Sequence, residues 1–255
     1  MQPFKIAALT YSEAVLMTTS FEMTPVAIVE GCYPDKFGVP RQPGLAPSAT
    51  ARLVLQAPFD TPDALRGLET FSHIWLTFVF HRNPTDWHAL VRPPRLGGNR
   101  KVGVFASRAT HRPNRLGLSL VEIVDIELTA HPCLIIRGHD LVDGTPILDI
   151  KPYLPWSDSA ENAQAGFAPH APQQYAVHYS SEAQHTLAHL SDSKTLAALI
   201  TEVVAQDPRP AYHQGNTQRT YGVRLRDIDV KFREMPIEEG QCSFLIVSIE
   251  LVKAQ

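Results

Sequence analysis

The chain has 255 residues, a formal net charge of −3 and 44% hydrophobic residues. That length allows one large domain or two modest ones with a packed core, and the charge gives no global argument for nucleic-acid binding. Cys32, Cys133 and Cys242 lie far apart with no paired metal-ligand spacing, and they fit a reducing compartment better than a disulfide framework.

Residues 1–24 read as an N-terminal extension. Lys5 followed by Ile6 to Leu9 faintly resembles a secretory signal, but Glu13 interrupts the apolar stretch and no small-residue cleavage site follows. A cytoplasmic protein is expected, with Met17 or Met23 as alternative starts. No apolar run approaches the roughly 20 residues of a membrane helix.

From Pro25 to Pro155, short strand-like runs alternate with Pro and Gly. Val26–Glu30, Ala51–Gln56, Ile74–Phe80, Val102–Ala106, Leu118–Leu128, Cys133–Arg137 and Pro146–Ile150 read as strands. One short helix is expected, from Thr61-Pro62-Asp63 to Gly67. Residues 157–174 are rich in Ala, Ser, Pro, Gln and Asn and read as a linker. Beyond them, helices are predicted from Ser181 to about Leu190 and from Asp192 or Ser193 to no further than Asp207, because Pro208 disfavours helix before it. Strands are predicted at Tyr221–Arg226, Asp229–Arg233 and Phe244–Leu251. The fold class is therefore mainly β. An antiparallel β-barrel over residues 25–156 is followed by a small α+β domain over 175–255.

Familiar chemical signatures are missing. No Gly-x-Gly-x-x-Gly follows a strand, and there is no phosphate-binding loop or nucleophile elbow. The histidines reach no metal-ligand spacing, so no metal is expected.

Four segments carry the polar chemistry. Tyr33 to Gly44 is a stiff loop with three prolines and two glycines. Phe71-Ser72-His73-Ile74-Trp75 is a turn entering an apolar strand. The third lies in a stretch, Trp87 to Val121, that carries Arg92, Arg95, Arg100, Lys101, Arg108, Arg112 and Arg115 but no Asp or Glu. Ionised arginines are almost never buried unpaired, so this acid-free stretch implies a surface for anions such as phosphate, carboxylate or nucleic acid. In the fourth, Asp140 to Tyr153, Asp143-Gly144 marks a turn, and Asp149, Lys151 and Tyr153 share one strand face as an ion pair or a pocket lining.

Together the segments resemble the TsaA-like tRNA methyltransferases. The likeness rests on "DKFGVPRQPG", "RGLETFSHIWLTFVFH", "RPPRLGG", "VGVFASRATHRPNRLGLSLVE" and "DLVDGTPILDIKPYLP", with a further match, "AQDPRPAY", at Ala205–Tyr212. It implies a β-barrel that binds S-adenosyl-L-methionine without a Rossmann fold. It also implies a homodimer, and methylation of N6 of threonylcarbamoyl-adenosine at position 37 of tRNA, next to the anticodon. Carried over by motif, the donor site comprises Tyr33, Pro34, Asp35, Lys36, His73, Ile74, Arg108, Leu118, Asp143, Gly144, Thr145 and Pro146. The family often has proline where this chain has Arg115, which loosens that turn and leaves Arg112 and Asn114 as the firmer site members.

The acceptor nitrogen lies between a purine ring and a carbonyl, so it is a poor nucleophile until its proton is removed. Asp143, Tyr153 and His73 are the candidate bases. The substrate's threonyl carboxylate suits an arginine fork, from Arg112 or Arg108. In the second domain, Arg209, Tyr212, His213 and Arg219 cluster as tRNA contacts, with Tyr212 able to stack on an unpaired base. A non-catalytic RNA- or nucleotide-binding module is the alternative reading of the same basic stretch. An anion-dependent hydrolase lacks a recognisable nucleophile.

Overall fold

The computed structural model describes residues 20–97, 99–210, 217–236 and 242–252. Six strands form a closed antiparallel barrel: β1 (Ala27–Gly31), β2 (Thr50–Leu55), β3 (His73–Val79), β6 (Leu116–Glu127), β7 (Cys133–Arg137) and β8 (Pro146–Pro152). Their order around the barrel is β1-β2-β7-β6-β3-β8, and β1 closes it by pairing Ala27 with Ile147 and Ile28 with Pro146. The two-residue period of a strand sorts the side chains. On β3, Ile74, Leu76 and Phe78 are buried in the barrel core, and His73, Trp75, Thr77 and Val79 alternate with them on the outer face. At Gly117, opposite Phe78, a Cβ atom would lie 2.2 Å from the Phe78 ring, so this rung admits only glycine.

Two small strands, β4 (Leu90–Val91) and β5 (Val102–Gly103), pair outside the barrel. The predicted strand Val102–Ala106 is therefore cut short. Val104–Ala106 is a 3-10 turn that buries Val104 and leaves Phe105 exposed. The helix predicted from Thr61 to Gly67 is likewise a 3-10 turn, Pro62–Leu65, and a second turn, Leu68–Thr70, follows Gly67, which lies in the left-handed region.

A short helix, α1 (Pro155–Asp158), ends the barrel unit. The second unit is a sheet in the order β10-β11-β12-β9, made of β9 (Ala176–Tyr179), β10 (Thr220–Leu225), β11 (Ile228–Pro236) and β12 (Cys242–Leu251). Helices α2 (Ser181–Ala188) and α3 (Ser193–Ala205) pack with it. Strand β9 was not predicted. It is four residues long and pairs in parallel with β12, a partner far away in sequence. Ser180 caps α2 by accepting from the Ala183 N–H at 3.0 Å. Helix α3 buries Leu196, Leu199, Ile200, Val203 and Val204 at helical spacing.

The β1–β2 loop ties the two units together. Cys32, Tyr33, Ala46 and Ala49 belong to the core of the second unit, not to that of the barrel. Gly38 has φ +93°, and a Cβ there would meet Val223 Cγ2 at 2.3 Å, so glycine is required twice over. Glu202 of α3 accepts from the Ser48 N–H at 2.8 Å and from its hydroxyl at 2.9 Å.

Candidate active site

Antiparallel order brings three long connections to one end of the barrel. They follow β1 (residues 32–49), β3 (80–115) and β7 (138–145), and they carry most of the polar segments singled out in the sequence.

Backbone bonds join the first and third. The Asp143 N–H donates to Tyr33 O at 2.8 Å, the Gly144 N–H to Val29 O at 2.8 Å, and Asp143 Oδ1 accepts from the Gly31 N–H at 2.9 Å. Arg82, from the second connection, clasps both. Its Nη1 donates to Pro34 O at 2.6 Å and its Nη2 to Asp143 O at 3.2 Å, while Lys36 Nζ donates to Arg82 O at 3.2 Å. Tyr33 to Lys36 and Asp143 to Pro146 are thus neighbours. Their contributions differ. Tyr33 is fully buried and edge-on to His139, and Thr145 is buried with its hydroxyl donating to Val142 O at 2.6 Å. Asp35, Lys36 and Gly144 are exposed, and Pro34 and Pro146 are half-buried.

Arg82 is a site member that the sequence reading passed over. Its signal was present: a cation placed directly after the apolar run of β3. His81 beside it is held below the usual imidazole range by desolvation and by the Arg82 charge.

The basic loop shapes itself. Arg112 Nη1 donates to Ser107 O at 2.8 Å and to Val104 O at 3.3 Å, and Ser107 Oγ donates to Val104 O at 2.9 Å. Arg108 is exposed and reaches across to Gln42 Oε1 of the first connection. Asn114 is exposed in the turn that follows. Arg115 takes φ +52°, and its N–H donates to Arg112 O at 3.0 Å. Proline could do neither, so this turn is built for a non-proline residue.

Beneath the loops lies a second missed residue. The Asp140 carboxyl accepts from Ser119 Oγ at 2.5 Å, and burial pushes it up to about 6 against that hydrogen bond and the nearby Arg108 charge. Next to it, burial holds His139 down to about 4. That neutral ring accepts from the Leu141 N–H at Nδ1 and donates to Thr50 O from Nε2.

Other predicted residues stand elsewhere. His73 and Ile74 open β3, whereas the loops gather at its far end. Seven strand residues separate the ends by about 20 Å. Ile74 is fully buried in the barrel core. Tyr153 follows β8 beside His73, with its N–H on His73 O at 3.0 Å and its ring against Trp75. Leu118 sits nearer the loops, opposite Thr77, and is 58% exposed. Asp149 and Lys151 are exposed on the outer face of β8, opposite Thr77 and Trp75. Arg209, predicted to touch tRNA, is instead 2% exposed. Its guanidinium is engaged by Asp207 at 2.6 and 3.0 Å and by Glu234 at 2.6 Å, and it lies over the Phe244 ring. Tyr212 and His213 lie outside the described residues. Among the described residues, no cluster of three or more His, Cys, Asp or Glu could hold a metal ion.

This constellation has a family. Residues 28–159 match the tRNA-methyltransferase O N-terminal domain, and residues 172–250 match the TrmO C-terminal domain. The chain belongs to the tRNA-methyltransferase O family. It is 47% identical over 220 residues to the tRNA (adenine(37)-N6)-methyltransferase of Escherichia coli K12, covering 84% of this chain and 94% of that protein. A Pseudomonas aeruginosa relative, named among S-adenosylmethionine-dependent methyltransferases, is 48% identical over 212 residues, covering 82% of this chain and 90% of its own length. The crystal structure of TrmO from Pseudomonas aeruginosa superposes with a TM-score of 0.74 at 37% identity, covering 91% of this chain and 99% of that one. The two family models together span the barrel, the β1–β2 loop and the second unit.

Proposed function

We propose that this chain is an S-adenosylmethionine-dependent tRNA methyltransferase that methylates N6 of adenosine 37, with threonylcarbamoyl-adenosine as the accepted form of that base. The observation that carries the reading is the union of the Tyr33–Lys36 and Asp143–Pro146 segments through Arg82, beside an acid-free basic loop, in a chain 47% identical to a tRNA (adenine(37)-N6)-methyltransferase.

The loop end suits the donor. Arg108 has no carboxylate within ion-pair distance among the described residues and is available to a methionyl carboxylate. Asp143 spends one carboxylate oxygen on the Gly31 N–H and keeps the other for the N6 proton. Asn83 Nδ2, next in the chain to Arg82, is buried without a protein partner and would be satisfied by a ligand oxygen. When bound, S-adenosylmethionine supplies an electrophilic methyl group. The protein's tasks are alignment and proton removal. In this reading Asp143 accepts the N6 proton. Arg112 fixes the loop that carries Arg108 and Asn114 and turns its remaining N–H groups to the threonyl carboxylate, while Arg108 stays with the donor.

His73, Ile74 and Tyr153 are too far along β3 to share this end within one copy. A homodimer that sets the β3 start of one copy against the loops of another would unite them, and a cytoplasmic setting fits a tRNA substrate.

Labelled S-adenosylmethionine incubated with tRNA bearing or lacking the threonylcarbamoyl group tests the proposal. Label in the modified pool alone is expected. Label in neither pool, with tRNA still bound, would leave a binding module.

A further inference from the structure

A cleft of about 370 Å³ lies where the β1–β2 loop and the turn after β4 meet the linker and the end of α3, with no residue of the Arg82 clasp in its walls. Its walls come from four places: Arg41 of the β1–β2 loop, Arg95 of the turn after β4, Phe167 and His170 of the linker with Tyr175 just after it, and Gln206 at the end of α3. We infer that this cleft holds an unpaired nucleotide of the tRNA anticodon loop, its phosphate on Arg41 and Arg95 and its base against Phe167 and Tyr175. The inference rests on the proposed tRNA substrate and adds a second place at which the RNA is held.

The charge fits an RNA strand. Neither Arg41 nor Arg95 forms an ion pair among the described residues. Arg95 Nη1 donates to His170 O at 2.6 Å, which holds the guanidinium at the cleft while its remaining N–H groups stay unspent. Asp207 also lines the cleft, but its carboxylate is taken by buried Arg209 at 2.6 and 3.0 Å. The wall is therefore cationic where it is accessible.

The shape fits a nucleotide better than a lone anion. The volume lies in the range of small-ligand sites. Aromatic faces beside cations are the usual means of holding a splayed-out base together with its phosphate. The walls are fixed, because the Tyr175 N–H donates to Ala205 O at 2.9 Å and Gln206 Nε2 to Leu45 O at 3.1 Å. One rim of the cleft lies a single residue along the chain from a contact of the basic loop. Arg41 is followed by Gln42, whose side chain accepts from Arg108 of the basic loop. An RNA strand lying along this lip would meet Arg41 and Arg108 in succession. The arrangement involves the second unit directly, since Tyr175, Gln206 and Asp207 line the cleft.

The test is fluorescence anisotropy of a labelled anticodon stem-loop RNA titrated with the full chain at several salt concentrations. The variants are Arg41→Ala, Arg41→Lys and Phe167→Ala, with Arg66→Ala at the opposite barrel end as control. Arg41→Ala is expected to weaken binding severalfold and to flatten the dependence of log K on log salt by about 0.7–0.9, the share of one phosphate contact, and Arg41→Lys to restore the slope. Phe167→Ala is expected to weaken binding about fivefold or more with the slope unchanged, as loss of a stacking face should. S-adenosylmethionine affinity should match wild type in every variant, which separates a lost contact from a lost fold. If Arg41→Ala and Phe167→Ala bind the RNA like Arg66→Ala, with the same salt slope, the cleft is not a nucleotide site. If wild type transfers no methyl group to any tRNA yet these variants still weaken RNA binding, the cleft stands and the methyltransferase reading falls.

Discussion

Ser119 Oγ donates to the Asp140 carboxyl at 2.5 Å, inside the mouth of the barrel and below the basic loop. Burial outweighs this bond and raises the Asp140 pKa to about 6. A carboxyl whose folded pKa lies above its unfolded value near 3.9 contributes stability that is full below about pH 4 and lost as pH rises through about 6. Asp140→Asn should therefore be more stable than wild type at pH 7.5, by up to about 3 kcal/mol, and equal to it near pH 4. Urea denaturation at the two pH values measures the difference. A variant less stable than wild type at pH 7.5 would show that the charge is needed to hold Arg108.

Removal of Arg82 tests the clasp. Its guanidinium is exposed, so folding stability should change little. It joins the Pro34 and Asp143 carbonyls, so Arg82→Ala should weaken S-adenosylmethionine binding about 5- to 30-fold, the equivalent of about 1–2 kcal/mol for charged hydrogen bonds. Calorimetric titration reads this directly. Unchanged affinity would place the donor elsewhere.

Arg112 separates two roles by one conservative change. A single nitrogen, Nη1, serves both the Val104 and Ser107 carbonyls. If Arg112 shapes the loop, Arg112→Ala should lower kcat/KM about tenfold or more, and Arg112→Lys should retain most activity because an ammonium group can serve the same carbonyls. If it instead grips the threonyl carboxylate with a planar fork, lysine should fail like alanine, and only on threonylcarbamoylated tRNA.

Arg209→Ala strips the partner from Asp207 and Glu234, both held inside the second unit. Breaking a buried ion pair by deleting one member costs about 3–5 kcal/mol, so a large drop in melting temperature is expected. Arg209→Met combined with Asp207→Asn and Glu234→Gln should recover much of it. A loss of tRNA affinity without a loss of stability would return Arg209 to the RNA surface.

Much of the fold was legible in the chain. Alternation showed β3 to within one residue at each end, because a strand with one face in a core must repeat every second position, and the apolar run Cys133–Arg137 was read to the residue. Helix α2 showed in its Ser181-Glu182 start and α3 in its spacing, while the capping role of Ser180 came only with the structure. Strand β9 escaped because four residues carry too little pattern, and because its parallel partner β12 lies far along the chain. The turn at Val104–Ala106 escaped because an apolar run does not say whether it pairs or coils.

The sequence by itself determined the family, the barrel-forming strands and the chemical character of the loops, since strand periodicity, turn residues and local charge are written in neighbouring positions. Only the tertiary structure decided which of those residues work together. It joined Pro34 to Asp143 through Arg82, sent Tyr33 into the core of the second unit, buried Arg209 between two carboxylates and set His73 about 20 Å along β3 from the loops. The reason is geometric. Which ends of a barrel meet, and which cation finds a carboxylate, depends on contacts between residues far apart in the chain, and no local pattern encodes them.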